Sequence, residues 1–147
     1  MSLLRRNLAL AESLCKDMAD HLIGDSLKNV VSSFDGFGRE ICTQKGADIH
    51  FQNLISARRR VQERFAFDFA DALEPSDWEI VCRVFQKRHL LEHKMGVVDE
   101  DYLKKANDPH AILGRKIGIA PSDVAAAINI IKTLGKRLYD ELFRPGP

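Results

Sequence analysis

Cysteine is scarce. Three occur in 147 residues, Cys15, Cys42 and Cys82, odd in number, far apart and without a CxxC pair. That excludes a disulfide framework and a cysteine-rich zinc site, and makes a reducing cytoplasm the expected setting. Long apolar runs are missing too. No uncharged apolar stretch reaches about 18 residues, so no membrane-spanning helix is expected, and no membrane partner. The opening MSLLRRNLALAESLCKDM carries two arginines, but Glu12, Lys16 and Asp17 interrupt any apolar centre, which fits an amphipathic helix and not a signal peptide. Five prolines and nine glycines are too few for a low-complexity or disordered chain. Aromatic residues make up 7% and stand mostly at core spacing, so no base-stacking platform is visible. Neither sign of charge dominates. Twenty-two Lys+Arg against 21 Asp+Glu leave +1, which excludes a strongly basic nucleic-acid coat and an acidic tail, though not a local basic site.

What the chain does have is helical periodicity, with almost no strand signal. Leu4, Leu8, Ala11, Cys15, Met18 and Leu22 recur at three and four, and Leu27, Val30, Val31, Phe34, Phe37 and Ile41 form a second stripe. Gly36 and Gly38 weaken that second helix by propensity, which close packing or a kink would explain. Phe51 to Phe69 marks a third helix. Its exposed side carries Arg59, Arg60 and Arg64, read first as a solvated face and only second, with Arg58, as a phosphate contact. A fourth is expected from Ser76, as N-cap of a capping box with Glu79, to about Met95, with Gly96 as the stop. A short helix within 97–106, an extended piece at Arg115–Ile119, and a last helix from Pro121–Ser122 complete the chain. The fold class is all-α. The expected architecture is one domain over residues 1–147, an up-and-down bundle of four long helices with a short additional helix and a short extended segment before the last helix. The MSL start and RPGP end fit either a whole protein or a domain cut from a larger one.

The fourth helix breaks its own pattern. At about 100° per residue, Trp78, Val81, Cys82 and Phe85 share one apolar sector. Two turns later the same sector carries Arg88, Glu92, His89 and His93. Charged groups there must be paired, or must open into water, a cleft or an interface. Histidine near its ordinary pKa both gives and takes protons, and arginine offers a permanent charge in a planar fork that matches phosphate. One histidine and one arginine suit metal-free phosphodiester cleavage: the base removes a 2′-hydroxyl proton and the cation stabilises the phosphorane. A symmetric dimer through this sector would supply two of each, with Phe85, Arg88, His89, Glu92 and His93 at the interface. A different chemistry uses the same letters. His89-x-x-Glu92-His93 matches the H-x-x-E-H zinc pattern, with Asp99, Glu100 or Asp101 as a third ligand, in a zinc hydrolase.

RHLLEH, Arg88 to His93, resembles the R-x4-H motif of the HEPN superfamily, with His89 as the polar residue that commonly follows the arginine. The continuation HKMGVVDEDYL is similar to the H-x-x-G-x-V-D-x-x-Y-L of some branches, and GRKIGIAPSDVAAAINIIKTL to their closing element. The resemblance implies a helical bundle that dimerises and sets two such motifs face to face. It implies a metal-independent endoribonuclease or RNA-binding domain without cofactor, whose product is a 2′,3′-cyclic phosphate. Such domains serve as toxins of toxin–antitoxin pairs or in defence, so RNA, a second copy, a cognate antitoxin or a larger fusion partner are the implied partners. Carried over by position, Arg88 and His93 are the catalytic pair and His89 the helper. The tyrosine modified in the adenylylated branch is replaced by Met95. Lys87 and Lys94 flank the motif as expected phosphate contacts, with Glu92 and Asp99 in supporting roles; Asp99 also suits a helix cap. The alternative from another class is a non-catalytic helical dimerisation or interaction module. The cysteines are expected to be buried and inert, and His21, His50 and His110 to be unpaired.

Overall fold

The computed structural model describes residues 2–144, so the Met1 start and the closing Pro145–Gly146–Pro147 lie outside the described residues, and with them the question of chain edges. The described chain is all-α. Its helices are α1 (Leu3–Gln44), α2 (Leu54–Phe65), α3 (Pro75–His93), α4 (Glu100–Ala106) and α5 (Pro121–Phe143), with a 3-10 turn at Phe69–Ala72. None is long and apolar enough to cross a membrane.

The first two expected helices are one. α1 runs unbroken for 42 residues, about 63 Å. The reason for the misreading is a change of phase. Counted at about 100° per residue, the stripe from Leu4 to Leu22 is centred about 160° away from the residues that α1 buries after Gly24. Periodicity alone reads such a jump as a break, but no proline interrupts the chain there and the backbone continues. Gly24 is the first buried residue of α1, against Leu91.

The lower half of α1 packs on α3 and α5, and α5 packs on α3. α2 is short and closes the group through α3 and the 3-10 turn, so three long helices and one short one replace the four long ones expected. Phe34 meets Phe51 and Phe85 edge to face at 5.5 and 6.3 Å, a favourable aromatic geometry at the centre of the core. Gly38 explains itself here: a Cβ at that position would collide with the Phe51 ring, whereas Gly36 faces open space. The loop carrying Phe51 is tied across α1 by its N–H, which donates to buried Asp35 at 2.6 Å.

Local chemistry sets the helix ends. Asn53 caps α2, accepting from the Ser56 N–H at 3.1 Å, so the helix begins later than Phe51 and ends at Phe65, before left-handed Ala66 (φ 63°). α3 starts with Pro75 at its first position, which places Ser76 inside the helix; the expected Ser76–Glu79 capping box does not form. It stops at His93, where Met95 and Gly96 turn left-handed (φ 54° and 76°) and the Gly96 N–H returns to the Leu90 carbonyl at 2.9 Å. Asp99 caps α4, accepting from the Tyr102 N–H at 2.8 Å. The extended piece before α5 pairs with residues 96–98: the Ile117 N–H donates to Gly96 and the Val98 N–H to Arg115, around one antiparallel bridge, Val97–Lys116. α5 begins at Pro121 as expected, with Asp123 accepting from the Ala120 N–H at 2.8 Å.

Candidate functional site at the end of α3

α3 crosses from core to water along the anomalous sector. Val81 and Phe85 are buried, Arg88 is still 93% buried (7% exposed), and Glu92, His89 and His93 are exposed. The antiparallel course of α3 beside α1 produces this. Phe85 reaches the Phe34 level of α1, and Leu91 reaches Gly24, where the bundle ends. Phe85 belongs to the monomer core, so it is unavailable to the interface expected of it.

Of the outcomes open to a charged group in this sector, Arg88 takes the inward one. One terminal nitrogen donates to the Gln52 carbonyl at 3.2 Å, while its buried Nε has no hydrogen-bond partner. Burial lowers its pKa, opposed by the carboxylates of Glu92 and Asp35. Asp35 and Gln52 are the neighbours that sequence reasoning missed. An aspartate on the buried face of α1 was the available signal for the first, and a main-chain carbonyl has no signal in sequence.

His89 and His93 lie one turn apart with ring centroids 4.7 Å apart and planes tilted by 53°. The His89 pKa is lowered by partial burial first, then by His93 and Arg88, so it favours the neutral, proton-accepting form. Lys94 is exposed beside them. Lys87 is not. Expected as a phosphate contact, it is buried and donates to the Gly118 carbonyl at 3.0 Å and to Asp123 at 3.2 Å, fastening the start of α5 to α3. A phosphate-binding role for Lys87 is therefore withdrawn, since its ammonium is already committed. Asp99 is engaged as a cap, one helix away from the histidines.

The zinc arrangement finds no support in the geometry. Among the described residues, no group of three or more His, Cys, Asp or Glu side chains could hold a metal ion, so Asp99, Glu100 and Asp101 do not complete a ligand set with His89 and His93.

Two arginines of α2 face carboxylates. Arg58 makes two hydrogen bonds to Asp68, at 2.8 and 2.7 Å, and lies 4.7 Å from the Trp78 ring centre; Arg59 faces Glu63 at 3.9 Å. Behind α3, Arg83 donates to the carbonyls of Ala106 and Asn107, and the Tyr102 hydroxyl to Asp108 at 2.8 Å. Burial alone would raise Asp108, but the Tyr102 hydroxyl, the His110 N–H and the cations Lys87 and Arg83 hold it below the ordinary carboxylate value. His21 and His50 each have a carboxylate nearby, Asp25 at 3.7 Å and Asp48 at 3.5 Å, which corrects their unpaired reading. Burial pushes the Cys42 and Cys82 thiols up to about 11, whereas Cys15 is exposed, against expectation.

No protein-family profile, curated protein or solved structure matches the chain. The likeness to the HEPN superfamily rests on the motif residues and the all-helical setting.

Proposed function

We propose that the end of α3 is half of a metal-independent RNA-cleaving site of the HEPN kind, completed by a second copy of the chain. The observation that carries this reading is the juxtaposition of two water-facing imidazoles, His89 and His93, with a buried arginine whose Nε is unpartnered. His93 takes the 2′-hydroxyl proton of the substrate, and the 2′-oxygen attacks the adjacent phosphorus. A guanidinium offsets charge on the phosphorane, and the departing 5′-oxygen is protonated by an imidazolium of the facing copy. The products are a 2′,3′-cyclic phosphate and a 5′-hydroxyl. His89 orients the pair and Lys94 attracts the phosphate backbone. A toxin or defence role, with a cognate antitoxin as partner, extends the same reading.

The test is RNA cleavage with and without chelator, on matched substrates with and without a 2′-deoxy substitution at the cleaved position. Cleavage that ignores chelator and stops at the 2′-deoxy position is expected. Cleavage that vanishes with chelator and returns with zinc would sink the reading.

One observation favours the second reading, a non-catalytic helical interaction module. Arg88 is drawn inward to the Gln52 carbonyl, as a structural arginine would be. RNA left intact by the purified dimer would favour that module.

A further inference from the structure

Every residue of the upper half of α1, residues 3–22, is exposed. Leu3, Leu4, Leu8, Leu10, Leu14, Met18 and Leu22 are all between 59% and 78% exposed. A free helix of about 20 residues is marginal in water, and its stability ordinarily comes from packing an amphipathic face. The phase change in α1 matters here. The upper apolar stripe points away from the bundle, while Lys16, Asp17, Asp20 and His21 face the cavity of about 630 Å³ beneath it, beside Met95 and Ile117. Folding back onto its own bundle would therefore not cover the stripe.

We infer that this segment pairs antiparallel with the same segment of a second copy. The spacing of Leu4, Leu8, Ala11, Cys15, Met18 and Leu22 alternates strictly by four and three, which is a coiled-coil seam. Antiparallel pairing centred on Ser13 stacks Leu4 on Leu22, Leu8 on Met18 and Ala11 on Cys15, each layer occurring twice. Sliding the register by one heptad loses layers. Charge fixes the direction. Arg5 and Arg6 lie at one end of the segment, Asp17 and Asp20 towards the other. Antiparallel copies bring unlike ends together, and parallel copies bring like ends together. A lipid surface is a poorer occupant: the basic side chains Arg5, Arg6 and Lys16 are matched in number by Glu12, Asp17 and Asp20. In this register the two Glu12 side chains meet across the seam edge, its one like-charge contact. The pairing sets the α3 ends of its two copies at opposite ends of the segment, so the facing copy of the RNA-cleaving site comes from a separate contact, and failure of one contact leaves the other testable.

The experiment uses the full chain. Sedimentation equilibrium at micromolar concentration should give a mass that halves in Leu8→Glu/Met18→Glu, with helix content outside the segment and the thermal transition of the bundle kept. Under mild oxidation, Ala11→Cys should give a covalent dimer through Cys15 of the other copy, while the wild type, with its two Cys15 apart, should not. Glu12→Gln should tighten association about twofold. A mass unchanged by Leu8→Glu/Met18→Glu would overturn the proposal. So would a wild-type Cys15–Cys15 cross-link without one in Ala11→Cys, or a monomer whose segment binds vesicles of anionic phospholipid.

Discussion

Arg58 and Arg88 are both withdrawn from full solvent contact, and they are held in opposite ways. Arg58 spends its fork on Asp68 and its face on Trp78, joining α2 to the turn before α3. Arg88 is more deeply buried, yet has one long bond to a carbonyl and an orphaned Nε. A buried donor without a partner costs about 1–3 kcal/mol. The fold gains from Arg58 and tolerates Arg88. The contrast separates an arginine that secures the structure from one whose burial its contacts only partly offset.

The largest effect that would test this contrast is on rate. In the RNA-cleavage assay, His93→Ala should lose about 10²–10⁴-fold, the scale of a positioned acid–base group. Arg88→Met should lose about 10²–10³-fold, the scale of a missing charge-stabilising donor. Arg58→Met should leave the rate within about threefold, since Asp68 and Trp78 hold it away from the histidines. Equal losses at both arginines would erase the distinction.

Stability should order them the other way. By urea unfolding, Arg58→Met should cost about 1–2 kcal/mol, for a half-exposed charge-assisted pair and an aromatic contact. Arg88→Met should stay within about 1 kcal/mol of wild type, because it removes the orphaned nitrogen along with the bond to Gln52.

A smaller effect follows acid. The Arg58 hydrogen bonds hold Asp68 below the usual carboxylate range. A depressed carboxylate contributes stability that is complete above the unfolded value, about pH 4, and is lost as pH falls through the folded value. Unfolding midpoints taken between neutral pH and about pH 2.5 should therefore fall less steeply in Asp68→Asn than in wild type. The smallest effect is local. By NMR, His89 should titrate below about 6.5, and His93→Ala should move it upward by removing a neighbour that lowers it. A His89 midpoint unmoved by that change would uncouple the two rings.

The sequence carried the helical class and most boundaries that have a local cause: Pro121 opening α5, Gly96 after α3, Asp99 capping α4. It misled where tertiary contacts decide. The break assigned within α1 was a change of partner and not of backbone. Phe51 keeps helical spacing with Leu54 yet lies in a loop, because Asp35 and the space above Gly38 hold it there. In the last helix, Ile130 takes a core place while Ile128, two residues earlier, is exposed. Of the site, the identities and spacing of Arg88, His89 and His93 were legible. The burial of Arg88 and the commitment of Lys87 to Asp123 were not, since each depends on a chain segment more than 30 residues away.

The ribbon between residues 96–98 and 114–117 has a bearing on how such a chain can change length. Gly96 and Ile117 are joined by a hydrogen bond of 2.8 Å, so the intervening excursion leaves and rejoins the body at one place. Leu90, Val98, Tyr102 and Ala106 give that excursion its own small apolar cluster, distinct from the main core. To the three long helices, everything between the two ends is a closed detour. Lengthening a closed detour adds only the slowly growing entropy of a larger loop, about 0.6 kcal/mol for each doubling. Insertions at exposed Leu113 should therefore alter the silhouette of the excursion while leaving the long helices in register.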